Sequence, residues 1–352
     1  MNNFWLKIKK PILALAPMAG ITDSAFREIC RKHGADVVYS EMASVSALFY
    51  KPQKTLELVK FNKVERPYVV QLFGKDPAHF AKATKIISDP SLALPLVKRR
   101  GQIPDGIDIN FGCPAKKVFG HGSGCVLMMQ KKLAREIISA VCENTKLPVS
   151  IKIRAGVGDP KAGLLKNSQS PALGISALDF IKNTADLPYS AIMIHGRTYE
   201  GGFSGPVDFK IVEKIKKMFP QKIVLANGGI NSAEEAVKIL QDYPLLDGLG
   251  IARGAWGRPW IFEEIKTPLP SSPILGRGDG GEGEGCKKFD FPHIKKIMLL
   301  HAKLIHENKG ARGLFEIRKH MSWYVKGFPR ASELRRKLVM ANSLKEIKEI
   351  LS

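Results

Sequence analysis

The sequence is poor in the residues that would staple it or carry it through a membrane. Its five cysteines, Cys30, Cys113, Cys125, Cys142 and Cys286, include no C-x-x-C pair. An odd count at irregular spacing argues against a disulfide framework and against a zinc site, and fits a reducing cytoplasm. Long apolar runs are missing as well. Nothing approaches the ~20 residues of a bilayer-crossing helix. The opening stretch sets Lys7, Lys9 and Lys10 before apolar residues, but Pro11 and Pro17 leave only Ile12 to Ala16 uninterrupted. A signal-peptide core needs about 7–15 apolar residues, so a soluble protein is expected. Acidic residues are scarce: 33 Asp and Glu face 55 Lys and Arg, a formal net charge of +22. A solvated basic surface is the bland account. An excess this large points to a polyanionic partner, nucleic acid ahead of anionic membrane. No Ser-His-Asp order and no metal-ligand cluster stand out. His301 and His306, five apart on an expected helix, do not share a face.

The 352 residues, 44% of them apolar, suffice for one large barrel and a small second domain. Short apolar runs alternate with helix-period segments eight times. The runs are Ile12–Ala16, Asp36–Glu41, Tyr68–Phe73, Gly106–Phe111, Val149–Arg154, Ala191–His195, Ile223–Ala226 and Gly248–Ile251. They favour Val, Ile and Tyr between Gly, Pro and Asp punctuation, as buried parallel strands do. Helices are expected over Pro77–Ile87, Leu133–Asn144, Ser176–Thr184, Asp208–Met218, Ala233–Leu240 and Pro259–Ile265. Thr22 and Asp23 can cap another beginning near Ser24, which Gly34 can end. Eight such units predict a (β/α)8 TIM barrel over residues 1–267, with a doubly wound open sheet as the competing arrangement. Residues 268–288 read as a Gly/Pro-rich linker, and 289–352 as a small all-helical C-terminal domain with fourteen Lys/Arg against six Asp/Glu. Residues 92–105 and 156–174 read as insertions.

The unusual residues cluster at the expected carboxyl ends of strands, the face on which barrels build active sites. Asn227-Gly228-Gly229 and Ala252-Arg253-Gly254 follow the last two strands. Barrels often bind phosphate there, using backbone N–H groups and a basic side chain. Either loop alone could be a mere turn. Lys152 interrupts the apolar run Ser150-Ile151-Lys152-Ile153-Arg154; inside a barrel a lysine is costly without a task or a partner, unless it reaches solvent from the strand end. His195 ends the next run as a possible core histidine, and Gln71 suits an amide-like ring edge or simple burial. Cys113, after Asn110-Phe111-Gly112 and before the glycine-rich Gly120–Gly124, is either an inert buried residue or an acid. A thiol with the ordinary pKa of about 8.5 is mostly protonated at neutral pH and can donate a proton.

Together these motifs resemble the tRNA-dihydrouridine synthase family. The matching strings are APMAGITDSAFR, SEMAS, QLFG, DINFGCPAKKV, IKIRAG, IHGRT, ANGGI and GIARGAWGRPWIF, with RKHMSWYVKGFP in the tail. NFGCP, IHGRT and ARGAWGRPWIF in combination are specific, and the likeness spans nearly the whole chain. Cys125 and Ala252 depart from it, standing where the family usually has a small residue and Gly.

The resemblance implies an FMN prosthetic group, NADPH as reductant, and reduction of the uracil C5=C6 bond in tRNA. By motif position, Pro17, Met18 and Ala19 would pack under the flavin. Gln71, Lys152 and His195 would contact its ring or ribityl chain, and Asn227, Gly228, Gly229, Ala252 and Arg253 would hold its phosphate region. Cys113 would be the general acid, giving its proton to C5 while hydride reaches C6. Asn110, Arg154 and Arg197 are candidates for the substrate pocket; Arg318, Lys319, Arg335 and Arg336 are candidates for holding tRNA. A stacked uracil must be turned out to reach such a site. A cytoplasmic monomer without a metal is expected. A flavin barrel acting on a free pyrimidine, such as a dihydroorotate dehydrogenase relative, would need no basic tail. A non-catalytic RNA-binding barrel would have no use for Cys113, Lys152 and His195 together.

Overall fold

The structure is a computed structural model that describes residues 3–89, 91, 103–158, 174–267 and 289–352. The linker expected at 268–288, most of the two expected insertions, and Cys286 lie outside the described residues. Eight parallel strands close into a barrel: Ile12–Leu15, Val37–Tyr39, Tyr68–Phe73, Gly106–Phe111, Val149–Val157, Ala191–Thr198, Ile223–Asn227 and Gly248–Ile251. The first strand pairs with the eighth from Ile12↔Gly248 to Leu15↔Ile251, which completes the ring. This decides between the closed barrel and the open sheet.

Two cores hold the barrel, one on each face of its sheet. The lumen is filled by Ile12, Ala14, Val37, Tyr39, Val69, Met193 and Leu225, with Trp5 closing its amino-terminal end. Gly250 makes room in that layer, since a Cβ there would lie 2.6 Å from Met193 Sδ. The outer core joins the strands to helices such as Ser24–Lys32, Pro77–Ser88, Lys131–Cys142 and Phe209–Met218. Burial on both faces is why the strands read as apolar runs rather than as alternating ones.

Local chemistry sets the boundaries. Asp23 caps the helix Ser24–Lys32 by accepting from Phe26 N, and Gly34 leaves it at φ +93°. Thr22 does not cap; its hydroxyl oxygen accepts from Met18 N at 3.1 Å and closes the preceding turn. The fifth and sixth strands run past their expected ends. Val157 pairs with Ile175 and Gly156 with Thr198, so extra partners beyond the barrel rim extend both.

After the barrel come helices Phe291–Lys309, Ala311–Glu316, Arg318–Tyr324, Ala331–Met340 and Leu344–Leu351. Their core of Ile294, Met298, Ile305, Ile317 and Met321 is continuous with Ala25, Ile29 and Trp260 of the barrel. The helical region is therefore docked through a shared apolar core. His301 belongs to that contact: its ring lies 5.8 Å from Phe26 and its Nδ1 is 3.0 Å from the Tyr324 hydroxyl. Among the described residues no helix is long and apolar enough to cross a membrane, and no group of three or more His, Cys, Asp or Glu could hold a metal ion.

Candidate active site

The carboxyl ends of the strands surround a cavity of about 500 Å³, within the usual range for ligand sites. Every barrel residue that the resemblance assigns to the site lines it, whereas Gly254 does not. Pro17, Met18 and Ala19 come from the turn after the first strand, Gln71 from the third, and Asn110 and Cys113 from the fourth and its loop. Lys152 and Arg154 come from the fifth strand, and His195 and Arg197 from the sixth. Asn227, Gly228 and Gly229 leave the seventh strand; Ala252 and Arg253 leave the eighth. Arg318, Lys319, Arg335 and Arg336 stand apart, on the helical region.

A chain of polar contacts crosses the wall beneath Cys113. Ser150 Oγ donates to Asp108 Oδ1 at 2.6 Å, and Gln71 Nε2 to Asp108 Oδ2 at 2.8 Å. Asn110 Nδ2 donates to Gln71 Oε1 at 2.9 Å. Asn110 Oδ1 then accepts from the backbone N–H groups of Gly112 at 3.1 Å and Cys113 at 2.9 Å. Asn110 and Gln71 thus spend their amides on one another and on shaping the Cys113 loop. Burial pushes the Asp108 carboxyl up to about 6, against the Ser150 and Gln71 hydrogen bonds and the charge of Lys152. Gly124 lets the following loop close over this turn at φ +72°, where a Cβ would fall 2.7 Å from the Cys113 carbonyl oxygen. Cys125 is fully buried behind it, and burial pushes its thiol up to about 12.

The adjoining wall, beginning with the strand paired to that of Asn110, is cationic. Lys152 Nζ donates to Asn227 Oδ1 at 3.0 Å, and Asn227 Nδ2 to the Gly250 carbonyl at 2.6 Å. Arg154 donates to the carbonyls of Gly112 at 3.0 Å, Thr198 at 2.8 Å and Gly202 at 2.9 Å, tying the Cys113 loop to the one after the sixth strand. Arg253 Nη2 donates to the Phe203 carbonyl at 2.8 Å. Among the described lining residues there are four basic side chains, Lys152, Arg154, Arg197 and Arg253, and no carboxylate. Burial, followed by Lys152, Arg154 and the other arginines, drives His195 down to about 2, so its imidazole is neutral. The cavity has a field suited to an anion.

The glycines are sized to this site. Gly228 lies at φ +102°, and a Cβ there would sit 2.4 Å from His195 Cδ2; Gly229 lies at φ +70°. Only glycine meets both the backbone and the space requirement, which leaves N–H groups bare for close approach.

Several residues had no role in the sequence reading. Asp108 anchors the polar chain; its signal was an acid inside the apolar run Gly106–Phe111. Phe203 and Trp256 also line the cavity. Arg154 and Arg253 lie 5.4 and 5.5 Å from the Phe203 ring, a contact between distant loops that no local pattern encodes. Arg318 and Lys319, expected to face a polyanion, also have partners within the chain. Arg318 Nη2 donates to Asn342 Oδ1 at 2.8 Å and Ala341 O at 3.2 Å; Lys319 Nζ donates to the Gly20 carbonyl.

Comparison with known proteins gives this site a context. A family model described as dihydrouridine synthase (Dus) matches residues 14–352. A tRNA-dihydrouridine synthase B of Pseudomonas aeruginosa is 34% identical over 325 residues, covering 92% of this chain and 86% of that protein. A probable tRNA-dihydrouridine synthase of Mycobacterium leprae is 30% identical over 378 residues, covering 96% and 86%. Among solved structures, histamine dehydrogenase from Rhizobium sp. 4-9 aligns with a TM-score of 0.51 at 13% identity, over 89% of this chain and 49% of that one. That likeness is one of fold.

Proposed function

This chain belongs to the dihydrouridine synthase family, and from that premise we propose that it binds FMN in the cavity and reduces uridine in tRNA to dihydrouridine, with NADPH as reductant. One observation carries the reading: a cavity at the barrel's carboxyl face whose charged lining is wholly basic, with Cys113 on its wall. The residues fit the cofactor. The Gly228-Gly229 and Ala252-Arg253 loops offer bare N–H groups and a guanidinium to a phosphate, and Met18 and Ala19 give the turn an apolar floor. When bound, the flavin supplies the hydride for uracil C6.

The chain's own residues do the rest. Lys152, fixed by Asn227, would supply positive charge to a bound flavin, and neutral His195 would offer it a hydrogen bond without adding charge. Asn110 sets the Cys113 loop by holding the Gly112 and Cys113 amides. Cys113 Sγ gives its proton to uracil C5 and regains one from water. Arg154 braces that loop through the Gly112 carbonyl, and Arg197 extends the basic wall toward the mouth. A uracil reaches this depth only when turned out of its stack. We assign residues 1–267 to catalysis and the basic residues of 289–352, Arg335 and Arg336 among them, to the tRNA backbone. A tRNA substrate places the work in the cytoplasm.

The test is direct. Purified protein should show a flavin spectrum and, with NADPH, form dihydrouridine in unmodified tRNA, read by nucleoside mass spectrometry. Equal turnover of free uridine or uracil would favour a free-pyrimidine reductase instead.

A further inference from the structure

The turn after the first strand is held from two sides. Gly20 donates its N–H to Glu41 Oε2, within the barrel. Its carbonyl accepts from Lys319 Nζ, on the helix Arg318–Tyr324 of the helical region. Both backbone groups of this one residue are fixed, each by a different part of the molecule. The same helix reaches the turn a second time. Met18 Sδ accepts from Trp256 Nε1 at 3.2 Å, and Trp256 stacks on Trp323 with centroids 4.6 Å apart and planes 8° apart. Lys319 and Trp323 stand four apart, on one helix face.

The approach is close at backbone level too. Gly257 lies at φ +66°, and a Cβ there would sit 2.4 Å from the Trp323 carbonyl carbon. Lys309 Nζ adds an anchor just beyond the turn, donating to Asp23 Oδ2 at 2.8 Å and to Glu316 Oε2 at 2.6 Å. Met18 and Trp256 both line the cavity. Lys319 and Trp323 do not; they act through residues that do.

We propose that the helix Arg318–Tyr324 is a positioning element of the flavin site. Lys319 and Trp323 hold the Pro17–Gly20 turn and the Trp256 ring in the shape that receives the cofactor. The region assigned to tRNA therefore also sets flavin affinity. This rests on the reading of the cavity as a flavin site.

The test uses full-length protein and FMN. Lys319→Met and Trp323→Leu should each raise the FMN dissociation constant by about three- to tenfold, the scale of one lost hydrogen bond or its packing equivalent. Both should shift the bound flavin's visible absorbance band, because the wall beside it relaxes. Lys319→Arg keeps a donor for the Gly20 carbonyl and should restore affinity and spectrum. Lys303→Met removes an exposed charge from Phe291–Lys309 and should change neither, so a loss common to all lysine removals would overturn the inference. Circular dichroism reports folding; if Trp323→Leu does not fold, Lys319→Met decides alone. A folded Lys319→Met with wild-type affinity and spectrum overturns the inference while leaving the flavin reading intact. A wild-type protein that takes up no FMN overturns both.

Discussion

Lys152 Nζ reaches Asn227 Oδ1 at 3.0 Å across the barrel mouth, past the sixth strand that separates their own two. The acceptor is neutral, so the contact offsets only part of the cost of burying an ammonium. Burial, and then repulsion from Arg154, lower Lys152 to about 8, against the pull of Asp108 and Cys113. In the flavin-free protein this group adds stability as pH rises from about 8 to about 10.4, where the unfolded chain binds the extra proton. An anionic ligand reverses the preference, because it favours the charged form. FMN affinity should be nearly flat from pH 7 to 8, then weaken by up to about tenfold per pH unit above 8, the limit for one linked proton. Fluorescence titration across pH checks this. Lys152→Met should bind more weakly and lose the slope; the same slope in the mutant would assign it to another group.

Cys113→Ala should leave flavin content intact and slow uracil reduction by ~10²–10⁴-fold, the usual range for a lost general acid. The Cys113 loop is shaped through backbone amides held by Asn110, so deleting the thiol leaves that shape alone. Single-turnover reduction of tRNA by the pre-reduced mutant isolates the step. A near-wild-type rate would remove Cys113 from proton transfer.

Arg253→Ala should release flavin more readily. Its guanidinium joins the loop after the eighth strand to the Phe203 carbonyl, so its loss removes a cation and loosens the loop facing it. We expect a paler protein after dialysis and a dissociation constant raised by about tenfold or more, the scale of a charge-assisted hydrogen bond. Unchanged retention would place the phosphate elsewhere.

Much of this architecture was legible because burial on both faces makes each strand a short apolar run. Tyr68–Phe73, Gly106–Phe111 and Gly248–Ile251 are found with the very ends the sequence suggested. Helices Val45–Tyr50 and Pro52–Leu58 were not foreseen. At six and seven residues they are too short for a 3.6-residue period to declare itself. The cavity-lining residues were legible where each sits at a strand end. What stayed hidden was contact between remote segments, such as Gly20 with Lys319, or Trp256 with Trp323. A local pattern carries no information on which distant side chain will fill a given space.

That docking changes how the tail's charge should be tested. Cutting the chain near Glu264 would expose Ala25, Ile29 and Trp260, which share a core with the helices, so losses would mix binding with folding. Point changes separate the two. Arg335 and Arg336 are exposed on Ala331–Met340, whereas Arg318 is engaged by Ala341 and Asn342 and lies 4.6 Å from the Phe315 ring. Neutralising a phosphate releases counterions, so tRNA affinity should fall linearly with salt on a log–log plot, by about 0.7–0.9 per contact. Arg335→Ala and Arg336→Ala should each reduce that slope by about one unit, with FMN affinity unchanged. Arg318→Ala should instead lower thermal stability, by about 1–2 kcal/mol for the lost cap on the Ala341–Asn342 turn, with little change in slope. Binding across a salt series, beside thermal melts, distinguishes them. If Arg318→Ala flattened the salt dependence while the exposed pair did not, the tRNA-facing surface would lie on the Arg318–Tyr324 side of the helical region instead.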